Sequence, residues 1–286
     1  MRIVGIRRAD APVEAAQLAA DGTHVIPVAP LEQFWSDPER YLAHDAAAPK
    51  FRTDSVTIVP PVPAGARVIC VGLNYREHIA EGSFSGQPLP DHPTLFARWT
   101  DTLTVDGAQV PVPSGEHGLD WEGEVVAWVG ARLVDVTPAE ALAAVVGYST
   151  FNDLTARRAQ KLTSQWILGK NGDRSGPLGP MVPAAEVGDL RAGLRLQTRV
   201  NGQVVQDGTT DQMVYTVGET LSFVSHTFTL RPGDLLATGT PSGVGYARTP
   251  PWLLQPGDTV EVEVERLGVL RNTIVANEWR RRAVSY

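Results

Sequence analysis

Over much of the chain, apolar residues recur at every second position, the period of a strand with one covered face. "MRIVGIRR" and "THVIPV" read as short strands, and "PLEQFWSDPERYLAH" as one or two helical turns. The segment "VTIVPPVPAGARV" then resists regular structure, because proline lacks an amide donor and restricts the residue before it. A boundary at 60–66 follows, with a small N-terminal domain over 1–65 and the main domain over 66–286. Past it come a strand in "RVICVGLNY", a short helix in "REHIAE" and a Gly- and Pro-rich loop in "GSFSGQPLPDHP". "EVVAWVG", "RLQTRVNGQVV", "LLATGTP" and "TVEVEVERLGVLRNTIV" continue as strands, with Asn201-Gly202 marking a hairpin turn. Helices are expected in "TPAEALAAVVG", started by Thr137 with Pro138 behind it, and in "DLTARRAQKL". Helices inserted into a strand-rich chain, without regular βα alternation, point to an α+β protein that is mainly β.

One strand breaks its own pattern. In "LDWEGEVVAWVG", Glu122 and Glu124 share a face with Val126 and Trp128, so two like charges adjoin on a face that turns apolar. Either that end is a solvated edge or a cation lies between the carboxylates. Asp153, where "GYSTFN" passes toward a helix, is either that helix's N-cap or a third ligand. Three carboxylates without a soft donor suit Mg2+, Mn2+ or Ca2+. His117 would soften such a site but reads as a solvated loop residue.

In "NYREHIAE", His78 and Glu81 stand three apart on one helix face. They form either a surface pair or a dyad in which the carboxylate orients an imidazole that acts as a general base. "LGKNGDRSGPLGP" and "TGTPSGVG" match no phosphate-binding loop. They are either ordinary turns or places where glycine lets the backbone approach a ligand. In the second case Thr240 offers a hydroxyl, and Lys170 a cation for a carboxylate or enolate.

With 286 residues, 43% of them hydrophobic and 20% charged, the chain can bury a normal core. A formal charge of −7, with basic residues clustered only in the terminal "WRRR", argues against nucleic acid as a partner. The single cysteine, Cys70, excludes an internal disulfide and sits in the apolar run "VICVG" as a core residue. No stretch reaches the ~18 apolar residues of a membrane helix and no leader is evident, so a cytoplasmic protein is expected.

Five segments in this order, "VGLNYREHIAE", "DWEGEVVAWVG", "GYSTFNDLTARRAQ", "LGKNGDRSGPLGP" and "LRPGDLLATGTPSGVG", resemble the fumarylacetoacetate hydrolase family from about residue 67 to 275. The resemblance implies a mixed β-sandwich roll behind a small N-terminal domain, usually as a homodimer. It also implies Mg2+ or Mn2+ on Glu122, Glu124 and Asp153, and catalytic roles for His78, Glu81 and Lys170. Substrate contacts would come from Arg157, Gln160 and Thr240. Two departures stand out: Arg158 and Gln212 replace residues that are acidic in the family, and both are expected near the substrate or the subunit contact. The lysine motif also lacks a following aromatic, which would widen the pocket there.

The expected function is hydrolysis of a C–C bond in a 1,3-dicarbonyl or 2-oxo acid, of the acylpyruvate or fumarylacetoacetate type. It would proceed through an enolate held on the cation, with water activated by the His-Glu dyad. The alternatives are a 2-oxo acid decarboxylase, an enol-acid isomerase or hydratase, and a non-catalytic metal-binding paralogue. Residues 75–93 are expected to act as a lid that orders around the substrate.

Overall fold

The computed structural model describes residues 1–9, 11–43, 49–81 and 91–277. Its centre is a six-stranded mixed sheet in the order Val182–Pro183, Val145–Asn152, Gly123–Val129, Leu235–Ala237, Val68–Gly72, Thr94–Arg98. Leu235–Ala237 runs parallel to Val68–Gly72, and the other neighbours are antiparallel. A second sheet of five strands packs on one face, in the order Gln203–Thr209, Arg195–Val200, Thr259–Val264, Gly268–Val275, Gln109–Pro111. The fold is α+β and mainly β, as the sequence pattern predicts.

Every residue of Gly123–Val129 is buried, because both faces of this strand are covered. Val125, Ala127 and Val129 face the second sheet and join Leu196, Val262 and Val264 in one core. Val126 and Trp128 face the other way and join Ile3, Ala15, Phe34 and Trp35. Glu122 and Glu124 therefore share a face with a second core, and the charged end of that face must be enclosed by something other than solvent.

The N-terminal part supplies that second core. Phe51–Arg52, His24–Pro30, Glu14–Leu18, Ile3–Arg7 and Thr57–Val59 form an antiparallel five-stranded sheet in that order. The strand Glu14–Leu18, "EAAQL", carries no strand signal of its own. Pairing on both sides imposes the conformation, since strand preference is largely set by neighbours. Two short helices, Leu31–Ser36 and Pro38–Leu42, follow as expected. The Trp35 ring stacks on Trp128 at 5.4 Å, and its indole N–H donates to Pro61 O at 2.8 Å. Ile3 and Met181 exchange backbone hydrogen bonds at 2.8 Å, so the two sheets are joined by backbone as well as by core.

Local signals read from the sequence recur here. Thr137 closes a capping box with Glu140 ahead of Pro138–Ala143. Asn201 and Gly202 take φ of +50° and +81° in a two-residue hairpin turn. Cys70 is wholly buried, and burial pushes its thiol well above the usual range, as fits a core residue. Among the described residues no helix is long and apolar enough to cross a membrane. The terminal "WRRR" lies outside them.

Trp35→Ala should cost about 3–5 kcal/mol, the range for truncating a buried aromatic, read as a lower urea midpoint. An unchanged midpoint would show that the stacked pair does not join the two units.

Candidate active site

The register between Gly123–Val129 and Val145–Asn152 decides which acids meet. Gly123 pairs with Asn152 and Glu124 with Phe151. Beyond the strand ends the pairing continues: Asp153 N–H donates to Glu122 O at 2.9 Å, and Asp120 and Thr155 exchange bonds at 2.9 and 3.0 Å. Opposed residues of an antiparallel pair share a face, so Glu122 and Asp153 adjoin across the ladder and Glu124 stands next along it. One carboxylate oxygen from each lies within 4.8 Å of the others, and all three side chains are buried.

The same pairing corrects two expectations. Asp153 caps no helix, because the helix starts at Arg157 with Ala156 at its N-cap and no side-chain bond there. The helix expected over "DLTARRAQKL" is reduced to Arg157–Gln160, because the backbone of 153–155 is engaged by 120–122.

Three buried cations brace these acids. Lys170 Nζ donates to Glu122 Oε2 at 2.5 Å and to Asp153 Oδ2 at 2.6 Å. Gly169 brings it there: a Cβ would come within 2.4–2.7 Å of Gln160, so only glycine lets Ile167–Lys170 pack on Arg157–Gln160. Arg157 reaches Glu122 at 2.6 Å, Asp120 at 2.7 Å and Gln160 Oε1 at 3.0 Å. Arg98, wholly buried, donates to Asp153 Oδ1 at 2.8 Å and to Ser175 Oγ at 2.6 Å.

Four buried carboxylates thus face three cations, and the surplus charge falls on Glu124. Burial opposes ionisation of Glu122, but Lys170 and Arg157 outweigh it and hold its carboxyl down to about 2. Glu124 has no cationic side chain within ion-pair distance among the described residues, and accepts the Gly239 N–H at 3.0 Å. Burial, then the charges of Asp153 and Glu122, drive its carboxyl well above the usual range. Burial alone would lower Lys170, but Asp153 and Glu122 reverse that and raise it. A divalent cation fits this set: three hard oxygens converge, and the uncompensated charge sits on one of them.

The loop "TGTPSGVG" adds backbone donors around the acids. Gly239 N–H serves Glu124, Gly243 N–H serves Glu81 at 2.8 Å, and Gly245 N–H serves Asp120 at 2.7 Å. Thr240 donates to Gly123 O and accepts from Gln206 Nε2, both at 2.8 Å. His78 and Glu81 lie on the helix Arg76–Glu81, where Nδ1 stands 2.8 Å from Glu81 Oε1. With Nδ1 so engaged, Nε2 is the ring nitrogen left for a reacting group.

A cavity of about 590 Å³ gathers these groups: His78, Glu81, Glu122, Glu124, Arg157, Gln160, Lys170 and Thr240 all line it. Asp153 lies beneath it, fully buried. Phe96 and Trp166 complete the wall beside Lys170, so the aromatic missing after the lysine is replaced from other elements. Neither Arg158 nor Gln212 lines the cavity, and Arg158 is exposed and donates to Gly115 O. His117 is exposed, as read from the sequence. Residues 82–90 of the expected lid lie outside the described residues. Sequence reasoning missed Asp120, though its place two before Glu122 continues the same alternation. It also missed Arg98, whose partner Asp153 is far off in sequence and leaves no local signal.

A buried carboxylate triad beside a mixed β-sandwich, lining one cavity with a His-Glu pair, defines a class of site that can hold a divalent cation next to a candidate base. The chain belongs to the fumarylacetoacetate hydrolase family, whose model, described as the C-terminal part of fumarylacetoacetate hydrolase, matches residues 67–275. Oxaloacetate tautomerase FAHD2A, mitochondrial, of Homo sapiens is 36% identical over 233 residues, 80% of this chain and 73% of that one. The 5-carboxymethyl-2-hydroxymuconate delta-isomerase of Mycobacterium smegmatis superposes with a TM-score of 0.78 at 28% identity, covering 97% of this chain and 100% of that one. Fumarylpyruvate hydrolase of Pseudomonas aeruginosa, in complex with Mn2+ and pyruvate, gives 0.68 at 32% identity over 77% and 92%. The named relatives are enzymes acting on small molecules.

Mn2+ at a hundredfold excess over its Kd should stabilise the wild type by about 2.7 kcal/mol, and Glu124→Gln should abolish that shift. An undiminished melting shift in the variant would remove Glu124 from the ligand set. Without metal, the two glutamates act oppositely with pH. Glu124, raised, contributes stability that is present below the ordinary value of 4.5 and lost as pH climbs through its folded value. Glu122, depressed, contributes stability that is present above 4.5 and lost as pH falls toward about 2. Chelated wild type should therefore lose melting temperature as pH rises above about 4.5, and Glu124→Gln should flatten that decline.

Proposed function

We propose that this protein is a Mg2+- or Mn2+-dependent enzyme that moves a proton between carbon and oxygen of a 2-oxo diacid, a keto–enol tautomerase of the oxaloacetate type. The observation that carries the reading is the convergence of the carboxylate triad, Lys170 and the His78–Glu81 pair on one cavity. The tautomerase named above supports the choice of reaction.

Glu122, Glu124 and Asp153 would hold the cation, which supplies a Lewis acid for the carboxylate and 2-oxo oxygens of the substrate. His78 Nε2 takes the proton from the carbon next to the ketone, while Glu81 on Nδ1 stabilises the imidazolium that forms. The C–H electron pair becomes the enol double bond, the former carbonyl oxygen takes a proton from water, and the His78 imidazolium returns its proton to water, so the enol has the composition of the ketone. Lys170 Nζ supplies positive charge beside that oxygen. The Gln160 amide N–H group, its oxygen being engaged by Arg157, orients the acid, and the Thr240 hydroxyl joins it by turning its one hydrogen from Gly123 O to the ligand. Phe96 and Trp166 limit water on that wall.

C–C bond hydrolysis, with His78 activating a water for attack on the distal carbonyl, is the second reading. It is favoured by the likeness to a fumarylpyruvate hydrolase. Decarboxylation uses the triad and Lys170 without needing His78. The reading also takes 1–65 and 66–286 as separate domains, and the protein as a cytoplasmic homodimer.

With added Mn2+, the wild type should interconvert the keto and enol forms of oxaloacetate. His78→Ala should slow this about 100- to 10,000-fold and leave Mn2+ affinity unchanged, since His78 is not a ligand. If acylpyruvates are cleaved and oxaloacetate is not tautomerised, the hydrolase reading replaces this one. Surviving decarboxylation in His78→Ala marks a decarboxylase, and no turnover of any of these despite tight Mn2+ binding marks a non-catalytic protein.

A further inference from the structure

The cations of the cavity fall into two groups. Arg157 and Lys170 on its floor are committed to carboxylates of the protein itself. Lys161 and Arg248, also lining it, form no ion pair within 4.0 Å among the described residues. Two uncompensated positive charges on the wall of one cavity are unusual in a chain whose formal charge is −7.

Both are held in place. The Arg248 guanidinium lies 5.6 Å from the ring centroids of Trp121 and of Trp252, which meet edge to face. Its Nη2 donates to Val205 O at 2.8 Å and to Gly243 O at 3.1 Å. Its Nε is buried without any acceptor and does not reach the cavity, so Nη1, which is neither bonded nor buried, is the donor group left over. A guanidinium pinned by aromatics and carbonyls, with Nη1 left over, offers a fixed positive charge and one donor group to an anion. Lys161 Nζ rests 3.9 Å from the ring centre of Tyr246, two residues before Arg248, so the two cations occupy the same wall.

We propose that Lys161 and Arg248 form the subsite for a second, distal carboxylate of the substrate, which makes this a cavity for 2-oxo diacids over 2-oxo monoacids. The inference deepens the proposed function and rests on it for the placement of the first carboxylate at the metal end. Glu122 and Asp153 already neutralise the floor cations, so the outer pair supplies the charge that distinguishes one acid from two.

Calorimetric titration of the Mn2+-loaded protein tests this with 2-oxoglutarate and 2-oxopentanoate, which have the same carbon count and differ at the distal end. The wild type should bind the diacid about 10- to 100-fold tighter, the range for a charge-assisted pair. Lys161→Met with Arg248→Met should erase that preference and leave 2-oxopentanoate binding unchanged. Lys161→Met alone, at an exposed position and so safe for folding, should weaken only the diacid, about 3- to 10-fold. Equal affinity of the wild type for both acids, a preference that survives the double substitution, or equal loss for both ligands would each overturn the subsite. The two readings separate cleanly. A preference lost in the double variant, in a protein that tautomerises nothing, keeps the subsite and discards the reaction. Tautomerisation of oxaloacetate with no preference between the acids does the reverse.

Discussion

Electrostatic neutrality of a buried cluster is the constraint that shapes the centre of this protein. Asp120, Glu122, Glu124 and Asp153 are enclosed with Arg98, Arg157 and Lys170, and nearly every one of these charges touches an opposite one. Burying a charge without a partner costs several kcal/mol, so the elements carrying these residues cannot shift independently. The two central strands, the short helices at Arg157–Gln160 and Ile167–Lys170, and the edge strand bearing Arg98 are tied into one arrangement. The exception, Glu124, carries the surplus negative charge, which a divalent cation would more than offset.

Around that cluster the loop after Leu235–Ala237 acts as a second frame. Its amides reach Glu124, Glu81 and Asp120, linking the triad, the dyad and the brace through one backbone segment. Short polar contacts from a fixed backbone hold catalytic groups with less freedom than side-chain partners would. The helix carrying His78 is thereby anchored to the same loop that bonds Glu124 of the triad.

Three kinds of side chain line the cavity. Its floor is neutral apart from Glu124, its side wall near Lys170 is aromatic, and its outer wall is cationic. A small acid with two ends would be read by different means at each, by coordination at the floor and by ion pairing at the mouth. Relatives named as a tautomerase, an isomerase and a hydrolase share the family, so membership by itself does not fix the reaction.

By itself the sequence determined the strand-rich class, the capped helix at Thr137, the Asn201-Gly202 hairpin and the shared face of Glu122 and Glu124, because each depends on local spacing. Alternation put Glu122 and Glu124 on one face whatever the fold, and a helix put His78 beside Glu81. It left open whether those acids were solvated, whether Asp153 capped a helix, and whether the dyad lay on the surface. Only the tertiary structure decided these points. The pairing of 120–124 with 151–155 aligns residues some 30 positions apart in sequence, and cover by Arg98, Arg157, Lys170 and the loop over 239–245 removes the solvent that would otherwise have separated the charges. Arg98 and Arg248 took their roles in the same way: nothing near them in the chain shows what they face, since their partners arrive from other strands and loops.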